Sequence, residues 1–301
     1  MHCKFKIVLV CAALCAAQPA TAALNIFACE PEWGSLAKEL GGDKVNVYTA
    51  VGPLQDPHHI EARPSLIARA RSADLVVCTG AELEVGWLPL VRTQSGNARI
   101  QAGQPGDFEA ARYVVALEVP QRLDRAQGDV HAAGNPHIHL DPRNIAKVAA
   151  ALLQRIAQLD SAEAKYYRTR TKAFLERWQQ AIARWEKQAL PLKGMAVIVH
   201  HKDQSYLINW LGMREVGALE PKAGLPPTTS HLSELLTRQE KDPAKAILRA
   251  AYNDARASVW LSERAKIPAV NLPFMVGATD KAQDLFGLFD DTLARLLAIA
   301  K

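Results

Sequence analysis

A helical stretch of about thirty residues, from Asp160 to about Leu190, separates two parts of the chain that each alternate strand-like and helical segments. Its apolar positions Tyr167, Phe174, Trp178, Ala181 and Trp185 recur at helical spacing. Asp160 followed three residues later by Glu163 reads as a capped start, and Pro191 as a stop. At 1.5 Å per residue, thirty residues span about 45 Å, enough to run from one lobe to another. That constrains the fold more than any other feature, because a rigid connector excludes a flexible tether and fixes two lobes against each other.

Before the connector, strand-like segments at 25–29, 45–51, 74–79 and 112–117 are separated by helical stretches at 32–40 and 64–71. Asp141 with Pro142 at the first helical position starts a further helix. After Gly194 the alternation resumes: strands at 195–199, 214–219, 246–251 and 269–272 alternate with helices at 204–211, 230–241 and 254–265, and a last helix covers 281–300. Strand and helix in alternation imply α/β architecture with mainly parallel sheets covered by helices. A chain of 301 residues exceeds what one core usually serves. The expected organisation is a leader at 1–22, a first lobe at 23–159, the connecting helix at 160–190 and a second lobe at 191–301.

The leader is read from Lys4 and Lys6, an apolar run at 7–17 and the small-x-small tripeptide Ala20-Thr21-Ala22. The run is too short to span a bilayer core. Bulky Val10 and Leu14 precede Cys11 and Cys15, where a lipid-modified signal places a small residue. Cleavage near Ala22 leaves an exported chain whose formal charge falls from +5 to +3 with the loss of Lys4 and Lys6. Basic residues are interspersed with acids, with no basic run of interleaved aromatics, so nucleic acid is not an expected partner. Cys29 and Cys78 remain, each near the end of a strand-like run. Either they are joined in an oxidising compartment or they are two buried small side chains.

Seven of the eight histidines beyond the leader lie in three places: His58-His59; His131 with His137 and His139; and His200-His201. Each cluster lies in a loop after a strand or just before a helix start, where open α/β sheets bind ligands. Neutral imidazole is a common ligand for zinc-type metals. A transition-metal site in the cleft between lobes follows.

These segments resemble the metal-binding receptors of zinc and manganese ABC importers, of the zinc-uptake type, over essentially the whole mature chain. The resemblance rests on Asp56-Pro57-His58 with Pro64-Ser65, on Asn135-Pro136-His137 through Leu140-Asp141-Pro142, and on His201 with Tyr206 and Gly212. Gly80-Ala81-Glu82-Leu83-Glu84 with Trp87-Leu88, and Gly224-Leu225-Pro226-Pro227, agree with it. It implies a periplasmic receptor, expected to be monomeric, that delivers metal to a membrane permease and its ATPase. It also implies His58, His137 and His201 as ligands. His59, His139 and His200 are the adjacent alternatives, and His131 and His231 are possible cleft-lining or relay groups. Many members add an acid from the second lobe, but this chain has Leu272-Pro273-Phe274 there. Asp280, Glu61 or water is left for the fourth position.

Three imidazoles favour zinc, whereas a manganese site offers more carboxylate oxygen. Because imidazole ligates only when neutral, affinity is expected to fall below about pH 6.5. Three histidines with an open position also suit a zinc hydrolase, with Glu61, Asp203 or His131 as base. The sequence has no H-E-x-x-H helix, nucleophile elbow or glycine-rich phosphate loop to support that. A protein that uses zinc only to fold would lose its structure on chelation. Here each lobe is long enough to bury its own core.

Overall fold

The computed structural model describes residues 23–122, 128 and 130–300; the leader reading therefore lies outside the described residues. Two four-stranded sheets, every neighbouring pair parallel, carry the two lobes. The first comprises β1 (Leu24–Ala28), β2 (Val45–Thr49), β3 (Leu75–Cys78) and β4 (Asp107–Glu109) in the order β2-β1-β3-β4. In the second, β5 (Ala196–Val199), β6 (Arg214–Ala218), β7 (Ala246–Ala250) and β8 (Ala269–Leu272) repeat that pattern as β6-β5-β7-β8. Central β3 and β5 are buried at every position, as strands covered on both faces must be.

Helices α1 (Pro31–Gly41), α2 (Pro64–Arg71) and α3 (Leu88–Ser95) connect the first sheet, and α6 (Ser205–Leu211), α7 (Thr229–Gln239) and α8 (Ala255–Ala265) connect the second. Between them lie α4 (Pro142–Leu159) and α5 (Ala164–Gln188), and α9 (Leu285–Ile299) follows β8. Asp141 caps α4 by accepting from Arg143 N, with Pro142 at the first helical position.

The long helix α5 has 25 residues, or about 37 Å. It begins later than its expected start. Asp160 does not cap it; the carboxylate instead accepts from the Tyr167 hydroxyl at 2.7 Å, while Asp160 itself ends α4. Helix α5 packs on α1 and α4, and Trp178 Nε1 donates to Pro142 O at 2.8 Å. Farther along, Trp185 meets Phe289 of α9 at 5.1 Å and Trp210 of α6 at 6.5 Å, so one helix contacts both lobes. Burying each such aromatic side chain contributes roughly 1.5–3 kcal/mol.

One apolar cluster runs from Ile26 and Trp33 through Trp178 and Trp185 to Val197 and Val199. On the opposite face of β5, Ile198 packs with Leu219, Leu235, Ile247 and Leu261. The expected strand at 112–117 is not formed. Asp107, Phe108 and Glu109 fill that place in the sheet, paired with Val76, Val77 and Cys78. Residues Ala110–Tyr113 then coil into a 3-10 turn that folds Tyr113 onto Phe108, with ring centroids 5.0 Å apart. Beyond it the chain leaves the sheet, and Val115 is 77% exposed. Cys29 and Cys78, at the ends of adjacent β1 and β3, form a disulfide with Cα atoms 4.8 Å apart.

Candidate metal centre

In each sheet the connections reverse direction beside the first strand, which places the ligand crevice at its carboxyl end. His200 and His201 directly follow β5 at that point, and His58 sits in the loop after β2. His137 immediately precedes a 3-10 turn, Ile138–Leu140, that leads into α4. The fold brings three of these rings together. Centroids are 5.4 Å apart for His58 and His137, 5.7 Å for His58 and His201, and 5.6 Å for His137 and His201. One ligand nitrogen from each lies within 4.8 Å of the others.

The first two signatures share a mechanism. Asp56 Oδ1 accepts from both the backbone N and Nδ1 of His58, at 2.9 and 2.8 Å. Asn135 Oδ1 does the same for His137, at 3.0 and 2.9 Å. The residue two before each histidine therefore fixes its backbone turn and its tautomer together. His201 Nδ1 donates to Glu220 Oε2 at 2.7 Å, and that oxygen also accepts from Gly224 N. With Nδ1 held by an acceptor in all three rings, Nε2 is the nitrogen left for a ligand. The Nε2 atoms of His58 and His137 are buried without a hydrogen-bond partner. Buried polar atoms left this way mark a place for a ligand.

Burial, reinforced by the neighbouring imidazoles of His58 and His201, holds the pKa of His137 well below the ordinary histidine value. Burial opposes charge on His201 too, but the Glu220 hydrogen bond and the carboxylates of Asp203 and Glu220 outweigh it and lift that pKa to about 9. Asp203 is raised to about 6 by burial and accepts from the Tyr252 hydroxyl at 3.2 Å.

Tyr206, the tyrosine of the third signature, ties the lobes together at this point. Its hydroxyl donates to Asn135 O at 2.9 Å and accepts from Leu117 N at 3.0 Å. Trp87 Nε1 donates to Pro57 O at 3.0 Å and so anchors the first signature.

The adjacent histidines turn elsewhere. His59 is exposed, His200 lines a separate cavity with Trp260, and His231 Nε2 bonds Ala218 O at 2.9 Å. His139 is buried between Phe274 O, 2.9 Å from Nε2, and Glu32 Oε1, 3.4 Å from Nδ1. Glu61 and Asp280 are exposed and lie outside the three-histidine group, which contains no carboxylate among the described residues. At Leu272-Pro273-Phe274 in the second lobe, Phe274 packs edge-on against His137 at 5.6 Å. Glu220 and the orienting roles of Asp56 and Asn135 were missed in the sequence. The repeated Asx-Pro-His pattern carried the signal for the latter two, whereas Glu220 is joined to His201 only by the fold.

The family described as "Zinc-uptake complex component A periplasmic" matches residues 26–298. The chain belongs to this family. Its members are substrate-binding components of metal ABC importers, which are transport proteins and not enzymes. The manganese ABC transporter substrate-binding lipoprotein scaA of Streptococcus gordonii is 21% identical over 94% of this chain and 92% of that protein. The high-affinity zinc uptake protein ZnuA of Bacillus subtilis is 22% identical over 82% of this chain and 77% of its own. The match to the lipoprotein ScbA of Streptococcus cristatus, at 25% identity, spans 57% of that protein. A crystal structure of ZnuA aligns at a TM-score of 0.75 and 19% identity, covering 92% of this chain and 98% of that one. The manganese-bound periplasmic protein of Candidatus Liberibacter asiaticus aligns equally well, at 0.75 and 15% identity, covering 92% of this chain and 100% of that one. At these identities the structural matches establish the two-lobed fold.

Proposed function

We propose that this protein is an extracytoplasmic receptor that captures a divalent transition metal, zinc foremost, and delivers it to a membrane permease driven by a cytoplasmic ATPase. Nε2 of His58 and His137 from the first lobe and Nε2 of His201 from the second bind the ion. The observation that carries this reading is the convergence of three imidazoles with Nδ1 already committed to acceptors, leaving two buried Nε2 atoms unpartnered. One chain supplies all three ligands, so a monomer suffices.

An all-nitrogen set supports zinc over manganese, which prefers oxygen donors. Relatives bear both zinc and manganese names, and competition between the two ions on this chain tests the preference. Competition titration against a chromophoric chelator tests the proposal. The wild type should bind one zinc per chain, and His58→Ala, His137→Ala and His201→Ala should each weaken binding while His59→Ala does not. Wild-type affinity in all three variants would refute the site. Tighter manganese than zinc binding would refute the ion.

A further inference from the structure

Zinc held by three protein nitrogens has one position of its tetrahedron to fill. Beside the triad lies a cavity of about 180 Å³ walled by His131, His137 and His201 together with Asn135 and Glu118. The His131 ring is 5.5 Å from that of His58. We propose that His131 is the fourth ligand, and that the resulting four-imidazole shell is what discriminates zinc-type ions from manganese. This rests on the three-histidine reading above.

Local structure places His131 for this role. Gly134 N donates to His131 O at 3.1 Å, closing a turn at residues 131–134. Gly134 has φ 96°, and a Cβ there would meet Leu117 O at 2.7 Å, so only glycine fits. Glu82 Oε2 accepts from Ala132 N at 2.6 Å and clamps the same turn from the first lobe. Ala81 and Glu82 have φ values of 50° and 67°, conformations that non-glycine residues hold only when their surroundings over-determine them. The Gly80-Ala81-Glu82 segment is thereby connected to the metal site.

The carboxylates near the triad lie outside the three-histidine group. Asp203 Oδ2 accepts from the Tyr252 hydroxyl while its Oδ1 is buried without a hydrogen-bond partner, and Glu118 accepts from Asn135 Nδ2 at 2.8 Å and from Ser205 Oγ at 3.1 Å. Glu61 and Asp280 are exposed and outside the group. His131 is not a member of the tight group of three, so its ring must move toward His137 and His201 when the ion binds. A fourth nitrogen replaces the water that would complete the shell, and with it the only oxygen donor that a manganese ion would favour.

The test uses the full chain and its His131→Ala and His131→Gln variants, with His201→Ala as a control on the underlying site. Zinc K-edge X-ray absorption counts nitrogen donors, cobalt(II) reports the same shell by visible absorption, and competition titration gives zinc and manganese affinities. The wild type should show four nitrogens. Both His131 variants should show three nitrogens and one oxygen, a changed cobalt spectrum and zinc affinity at least about tenfold lower, because even indirect partners of a metal ligand cost about 10–100-fold. Manganese affinity should not fall, so the zinc-to-manganese ratio shrinks.

Unchanged zinc affinity in the His131 variants, or reduced affinity with an unchanged cobalt spectrum, overturns the assignment. If His201→Ala also retains wild-type zinc binding, the three-histidine site fails with it. If only the His131 variants are silent, the three-histidine site stands and His131 is not part of it.

Discussion

Replacing Glu32 by Gln should change how stability depends on pH. The Glu32 side chain is fully buried, and burial, against an opposing hydrogen bond from its own backbone and with some repulsion from Glu84, pushes its pKa from the ordinary 4.5 to about 8. His139, 3.4 Å away, is pushed down to about 4 by burial, so between pH 4 and 8 the contact joins a neutral acid to a neutral imidazole. Below pH 4.5 both folded and unfolded chains hold the Glu32 proton. Above that, the unfolded chain loses it first, so stability falls as pH rises and levels off above about pH 8. The gap between 4.5 and about 8, at about 1.4 kcal/mol per pH unit, corresponds to roughly 5 kcal/mol at the limit and roughly 3 at pH 7. Glutamine is neutral throughout and removes this component. Urea unfolding of the metal-free protein at pH 5, 6, 7 and 8 should show near-equal stability at pH 5 and a growing advantage for Glu32→Gln toward pH 8. Parallel pH profiles for the two proteins, or a variant less stable at pH 8, would refute the reasoning.

Other changes probe the site and the connector. Glu220→Gln removes the carboxylate behind His201 Nδ1 and should lower zinc affinity about 10–100-fold without altering the stoichiometry, as read by competition titration. Trp178→Ala opens a cavity among Phe174, Trp185 and Phe289 and should cost about 3–5 kcal/mol in urea unfolding; a loss below about 1 kcal/mol would show that α5 does not depend on this contact.

The alternation of strands and helices was legible because parallel strands buried on both faces form short apolar runs, as in Leu75-Val76-Val77 and Ala196-Val197-Ile198-Val199. The segment 112–117 misled for the same reason. Its valines satisfy the pattern of a strand, yet the sheet edge is taken by Asp107, Phe108 and Glu109, where Asp107 pairs with buried Arg92. Asp160 followed by Glu163 satisfied the capping pattern, but Tyr167 captured the Asp160 carboxylate. That His58, His137 and His201 converge was legible because each has a local marker: an Asx two residues before His58 and His137, and Tyr206 after His201. Glu220 was not, since nineteen residues and the β5–β6 connection separate it from His201. Nor were the buried acids Glu30, Glu32 and Glu84. In sequence they resemble surface charges at a helix start and a loop, and only the packing of α1 against the sheet reveals their burial.

The most direct measurement is a crystal structure of the zinc-loaded protein with anomalous data collected on both sides of the zinc absorption edge. One anomalous peak between the lobes, about 2.0–2.1 Å from Nε2 of His58, His137 and His201, is the expected result. A peak at any other residues, or coordination through Nδ1 with Asp56, Asn135 and Glu220 displaced, would contradict it.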